Sequence, residues 1–288
     1  MRFIKHIIKK YFQILWLRHK FSASTQVALK HLFHFYQLNI DQKEKLNLST
    51  AGLRVFSQYE EDGKILFILA AIGIKHSSFI EIGSDDGLNS NCANLALNFG
   101  FHGLFIDGNS RSISRGRYFY KHYASPNTFK PVFALSKVTR ENINNMIREN
   151  GLHGEIDLLS IDIDGNDYWI WDAISVVNPR MVIIETFISY GKRNIVFPFD
   201  PNYSFPGKHP MYHGASPVAM VKLGQKKGYR LVGANELGFN FIFVRNDLGK
   251  GILEEVTIDE VLTHPSCAKD EKELDPYVFT LPFETPIE

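Results

Sequence analysis

The chain has 288 residues, 44% of them hydrophobic, enough for one large α/β domain with extensions or at most two domains. Its net charge of +1 conceals an asymmetry: residues 1–40 hold seven Lys/Arg and no acid, so the rest is net acidic, which argues against a general nucleic-acid binder. Two cysteines, Cys92 and Cys267, make no disulfide framework and fit a reducing cytoplasm, and no run of 18 apolar residues is present to span a membrane.

Residues 1–21 place Phe3, Ile4, Ile7, Ile8, Tyr11, Phe12, Leu15 and Trp16 at helical spacing, with Arg2, Lys5, His6, Lys9 and Lys10 opposite. Such a helix either packs on its own domain or a partner subunit, or lies on an anionic membrane surface. Charges interrupt the apolar stretch and no small-residue cleavage site follows, unlike a signal peptide. A second helix is predicted over 26–36. Ser57 and Glu60 form a capping-box pattern, predicting a helix to about Ile72 that Gly73 ends.

From Ser78 onward, short apolar runs alternate with helical patterns. Strands are predicted at 78–83, 102–107, about 128–135, 156–162 and 181–185. Helices are predicted at about 88–99, 111–122, 140–149 and 167–176. This alternation implies right-handed βαβ units and a mostly parallel sheet with helices on both faces. A helix over 216–227 and strands at 229–233 and 239–245, joined through Asn235, Glu236 and Gly238, suggest a closing antiparallel hairpin. Residues 187–213 break the rhythm with four prolines and seven aromatics. A loop that long in a compact domain is usually functional. The tail, 247–288, reads as acidic and irregular apart from a short helix near 258–262.

Open α/β sheets bind ligands at the carboxyl ends of their strands. The first strand ends in Glu81-Ile-Gly-Ser-Asp-Asp-Gly87, where Gly83 permits a sharp turn and close approach of a ligand. Glu81, Asp85 and Asp86 make that turn acidic, favouring a cationic ligand over a phosphate. Neither GxxxxGK[ST] nor GxGxxG is present. S-adenosylmethionine suits such a turn: it carries a sulfonium and no phosphate. Asp107, ending the second strand, can accept both hydroxyls of its ribose.

The chain resembles the class I S-adenosylmethionine-dependent methyltransferases, and among them the FkbM-type family. The likeness is carried by Phe56-Ser-Gln-Tyr-Glu-Glu-Asp-Gly63, Phe79-Ile-Glu-Ile-Gly-Ser-Asp-Asp-Gly87, Gly103-Leu-Phe-Ile-Asp-Gly108, Asp157-Leu-Leu-Ser-Ile-Asp-Ile-Asp-Gly-Asn-Asp167 and Pro179-Arg-Met-Val-Ile-Ile-Glu185. The resemblance spans roughly residues 55–246. It implies a Rossmann-like sheet of seven strands with the last antiparallel; the periodicity read above adds an N-terminal helical extension (1–54), and a tail (247–288) follows. It assigns Glu81 and Gly83 to the methionine end of the cofactor, Asp107 to its ribose and Ser136 to its adenine, with Gln58, Ser84, Asp85, Asn89 and Asp162 completing the set. It also implies a hydroxyl acceptor on a sugar or glycan, taken by the loop at 187–213. Where FkbM-type chains commonly carry Asp-Val-Glu-Gly, this one has Asp162-Ile-Asp164-Gly165, a carboxylate one methylene shorter.

Methyl transfer to a hydroxyl needs a base or a metal to help remove the proton. Asp162 and Asp164, two apart in an extended segment, share a face, and with Glu185 they are candidate ligands for a divalent cation such as Mg or Mn. The same run fails as a calcium loop, because its glycine comes at position four and position twelve is Ala173. Asp164 and Asn166 are equally candidates for capping the next helix. His213, or His209, is a candidate general base. Tyr190, Tyr203 and Tyr212 are candidates to stack on the acceptor or to form the loop's own core. Competing readings are a cofactor-binding scaffold without catalysis and an NAD-linked oxidoreductase. The expected setting is cytoplasmic, at the inner membrane surface if residues 1–21 bind it, with a homo-oligomer left open.

Overall fold

The structure, a computed structural model, describes Phe12 and residues 15–40, 47–123 and 130–286. Most of the amphipathic segment expected over 1–21 lies outside the described residues. Seven strands form one sheet in the order β3-β2-β1-β4-β5-β7-β6. They are β1 (Ser78–Ile82), β2 (His102–Asp107), β3 (Val132–Leu135), β4 (Gly154–Ile161), β5 (Val177–Glu185), β6 (Tyr229–Ala234) and β7 (Asn240–Arg245). β1–β2 and β2–β3 are parallel, whereas β7 runs antiparallel to both β5 and β6. The expected hairpin is present, and it inserts its second strand between β5 and β6. By compactness the chain divides into two units, residues 1–137 with 156–160, and 138–155 with 161–288.

In the first unit, β1 is buried along its whole length and β2 along all but its ends. Phe105 of β2 anchors the core, its ring 4.9 Å from both Phe79 and Phe133. Asp157 is a buried acid within this unit. It accepts N–H bonds from Lys75, His76 and Ser78, so this member of the fourth matched motif fixes the approach to β1. Helix α1 (Ala23–Asn39), longer than predicted, packs on α2 (Glu61–Ile72), with the Tyr36 and Phe67 rings edge to face at 5.4 Å. A 3-10 turn, Arg18–Phe21, precedes it, and the Lys20 carbonyl accepts from the Asn98 amide.

Two local predictions fail for identifiable reasons. The capping box at Ser57 and Glu60 does not form. Helix α2 begins at Glu61 because Ser57 bonds instead to Asp62. The helix expected over 88–99 shrinks to α3 (Ala93–Asn98), because Glu81 takes the N–H groups of Asn91 and Cys92 and holds the preceding turn. Helix α4 (Ser110–Tyr123) follows β2 nearly as predicted.

The second unit holds α5 (Ile143–Glu149), α6 (Asp167–Ala173), α7 (Pro217–Lys226), α8 (Ile258–Val261) and α9 (Pro265–Glu273). Its tail is more ordered than its composition suggests. Glu284 bridges to Val196, and Leu274 and Val278 enter the core built around Tyr190, Phe197, Tyr203 and Tyr212. Among the described residues, no helix is long and apolar enough to cross a membrane.

Candidate active site

The turn after β1 is built from unusual backbone. Gly83, Asp85 and Gly87 all have positive φ, at 85°, 47° and 68°. The N–H groups of Gly83 and Ser84 both donate to the Ile106 carbonyl, which pins the turn to the end of β2. Asp85 is the costly member, since a non-glycine residue rarely adopts this conformation. Its N–H donates to Asp107 Oδ2 at 2.9 Å, while Asn109 N–H donates to Oδ1 at 2.7 Å. These backbone donors orient a half-buried carboxylate and leave lone pairs on each oxygen. Burial raises the Asp107 pKa, and the nearby Asp85 and Asp86 charges push the same way.

The acids of the turn are not the open negative cluster the sequence suggests. Arg115 of α4 places Nε 3.0 Å from Asp86 and Nη2 3.1 Å from Asp85, and Asp85 also accepts from the Ser112 hydroxyl. Glu81 is 5% exposed and engaged by Ser90 Oγ at 2.5 Å and by the Asn91 and Cys92 N–H groups. Burial lifts its pKa to about 6 against those donors. Asp107 therefore remains as the carboxylate offering acceptor capacity, and Arg115 is the residue sequence reasoning missed. Ser84 adds a hydroxyl that is 1% exposed and has no hydrogen-bond partner, while Asn89 and Gln58 are exposed. Ser136 is half-buried and donates its N–H to the Asp107 carbonyl. Cys92 is a buried free thiol, its pKa raised by burial and by Glu81.

Gln58 sits on a loop held by one side chain. Oδ2 of the buried Asp62 accepts from the N–H groups of Val55, Phe56 and Ser57 and from the Ser57 hydroxyl, all at 2.6–2.8 Å. Burial raises the Asp62 pKa and these four donors oppose it.

In the second unit, Asp162, Asp164 and Glu185 bring carboxylate oxygens within 4.8 Å of one another. Asp164 has φ 58°, a second strained non-glycine position. The loop carrying these groups is shaped by Asp167, 1% exposed, which accepts from the N–H groups of Ile163 (2.8 Å) and Gly165 (2.9 Å). Burial raises Asp167 to about 6 and also raises Asp164. Glu185 is also raised well above its ordinary value, by burial first and then by the charges of Asp162, Asp167 and Asp164. Three hard oxygen donors at this spacing, with no cationic side chain bonded to Asp164 or Glu185 among the described residues, suit a hard divalent ion.

The segment 187–213 is laid across this loop. Asn166 clamps Asp200 through its side-chain amide rather than capping α6, Gly214 N–H donates to the Gly165 carbonyl, and Trp169 Nε1 donates to the Phe197 carbonyl. Tyr203 covers Gly165 so closely that a Cβ there would stand 2.5 Å from its ring. A cavity of about 370 Å³ opens in the segment, walled by Phe197, Phe199, Tyr203 and Tyr212 and edged by Asp200, Asn202 and Lys208. The Tyr203 hydroxyl is buried without a partner, and burial followed by the Asp164 and Glu185 charges lifts its pKa to about 12. Tyr190 is fully buried in the segment's own core and donates to the Met211 carbonyl, so it is not a stacking surface.

His213 is buried. Its ring lies 4.4 Å from Phe187 and 5.5 Å from Phe205. Burial drops its pKa to about 4 and keeps it neutral, with Nδ1 unpartnered. His209 instead faces Asp275 at 3.4 Å.

No family model matches the chain, and no curated protein matches it in sequence. Among solved structures, the N-terminal domain of EvdMO1, crystallised with S-adenosylhomocysteine and D-fucose, is 12% identical, with 73% of this chain and 94% of that one covered at a TM-score of 0.41. An O-methyltransferase from Bacillus cereus in complex with S-adenosylhomocysteine is 12% identical over 77% and 90%, at 0.39. Magnesium protoporphyrin IX methyltransferase from Synechocystis PCC 6803 with bound S-adenosylmethionine is 10% identical over 84% and 95%, at 0.37. The fold rests on the strand order itself rather than on these likenesses.

Proposed function

We propose that this chain is an S-adenosylmethionine-dependent O-methyltransferase of the FkbM type, acting on a hydroxyl of a small polar acceptor, a sugar or glycan unit. The observation that carries the reading is the seven-stranded sheet with its last strand antiparallel, as the resemblance implies; here that strand, β7, lies between β5 and β6. Asp107 alone does not separate this cofactor from NAD, and the pairing of Asp85 and Asp86 with Arg115 removes part of the electrostatic case against a pyrophosphate.

When bound, S-adenosylmethionine supplies an electrophilic methyl group on sulfur. The chain's own residues orient and deprotonate. Asp107 accepts the ribose hydroxyls, and the orphaned Ser84 hydroxyl and the glycine turn receive the remainder of the cofactor. The aromatic walls of the 370 Å³ cavity take the apolar face of a sugar ring, while Asn202, Asp200 and Lys208 meet its hydroxyls. Asp162, Asp164 and Glu185 accept the hydroxyl proton or hold a divalent cation that acidifies that hydroxyl. His213, neutral and enclosed by aromatic rings, is the weaker base by this count.

Titration calorimetry tests the donor. S-adenosylhomocysteine is expected to bind and NAD is not. Asp107→Ala is expected to weaken S-adenosylhomocysteine about a hundredfold or more, since two charge-assisted hydrogen bonds are lost at ~1.5–3 kcal/mol each. Binding of NAD in place of S-adenosylhomocysteine overturns the assignment. Binding without methyl transfer to any of a panel of sugars leaves the scaffold reading standing.

A further inference from the structure

The N-terminal region carries the largest set of exposed apolar side chains among the described residues of the first unit. Phe12, Leu15, Trp16, Val27, Phe35 and Leu38 are each between 50 and 66% exposed. Val27, Phe35 and Leu38 lie on the side of α1 opposite Leu29 and Tyr36, the residues buried against the unit. Lys30, His31 and His34 share that outer side, and Arg18 and His19 extend the exposed basic character before it. The sequence carries no acid before Asp41, and its first ten residues add Arg2, Lys5, Lys9 and Lys10.

Large apolar side chains mixed with cations and free of acids complement a surface that is greasy below and negative above. A nucleic acid would leave Leu38 and Val27 without a partner. A second copy docked through the same face about a two-fold axis would bring two clusters of like charge together. We propose that the outer face of α1, with Phe12, Leu15 and Trp16 beside it in the chain, docks on an anionic lipid bilayer. The docking surface is thus not confined to the first 21 residues: it includes a helix that also packs on the body of the unit.

Co-sedimentation of the full chain with vesicles tests this. The chain is expected to pellet with vesicles of roughly three parts phosphatidylcholine to one part phosphatidylglycerol, and to remain in the supernatant with phosphatidylcholine alone. Val27→Ser/Phe35→Ser/Leu38→Ser is expected to lower partitioning at least about tenfold, and Lys30→Glu several-fold, with thermal unfolding unchanged because all four side chains are exposed. The proposal fails if the full chain stays in the supernatant with the anionic vesicles, or if the triple variant pellets as the parent does. It also fails if sedimentation velocity without lipid finds a dimer that the triple substitution converts to monomer, since a second copy would then cover the face.

Discussion

Asp62→Ala is expected to destabilise the chain by about 3–5 kcal/mol, a large part of the ~5–15 kcal/mol that holds a typical domain together. One carboxylate oxygen accepts three consecutive backbone N–H groups, and their removal from water is tolerable only because Asp62 receives them. Alanine leaves those three N–H donors orphaned, while the Ser57 hydroxyl falls back on the Tyr59 carbonyl. Asp62→Asn keeps an acceptor oxygen in place and is expected to cost roughly half as much. Equilibrium unfolding in urea reads both values. The loop so held carries Gln58, so Asp62→Ala should also weaken S-adenosylhomocysteine in whatever fraction remains folded. An Asp62→Ala protein within about 1 kcal/mol of the parent would show that this loop finds water instead.

This dependence was partly legible. The run Ser57 to Asp62 announces a helix start, but it holds three acids, and only the fold shows that it is Asp62 that turns its carboxylate back on 55–57 rather than along the helix axis. The strands and their carboxyl ends were readable because short apolar runs recur between turn signals and helical patterns, so Asp107, Asp162 and Glu185 could be placed at strand ends from the pattern. Arg115 was not readable. It meets Asp85 and Asp86 thirty and twenty-nine residues upstream, and that meeting depends on how α4 lies against the turn. The tail escaped for a similar reason. Leu274, Val278 and Glu284 look irregular in sequence and gain their role only by packing on the aromatic segment. Tyr203 was legible as an aromatic but not as the lid on Gly165, a contact made across thirty-eight positions.

Glu185→Gln is expected to do two opposite things: abolish methyl transfer and make the metal-free protein more stable at alkaline pH. The sign follows from the direction of the shift. Burial and the Asp162, Asp167 and Asp164 charges raise the Glu185 pKa above its ordinary value of 4.5. The folded chain therefore holds a proton that the unfolded chain has released. Stability is fully present below the ordinary carboxylate value and is lost as pH rises through the folded one. Glutamine carries no proton to lose, so the variant escapes that loss. A divalent cation relieves the parent in the same window by neutralising the same cluster. Millimolar magnesium or manganese should raise the parent's melting temperature at pH 8, have little effect at pH 5, and act at least about tenfold more weakly on Glu185→Gln. Melting curves at the two pH values, with and without metal, separate this from simple packing. If Glu185→Gln lowers stability at pH 8 and the response to metal is unchanged, the three carboxylates are a structural cluster, and the proton of the acceptor hydroxyl must go elsewhere. The unpartnered Nδ1 of His213 is then the next candidate to receive it.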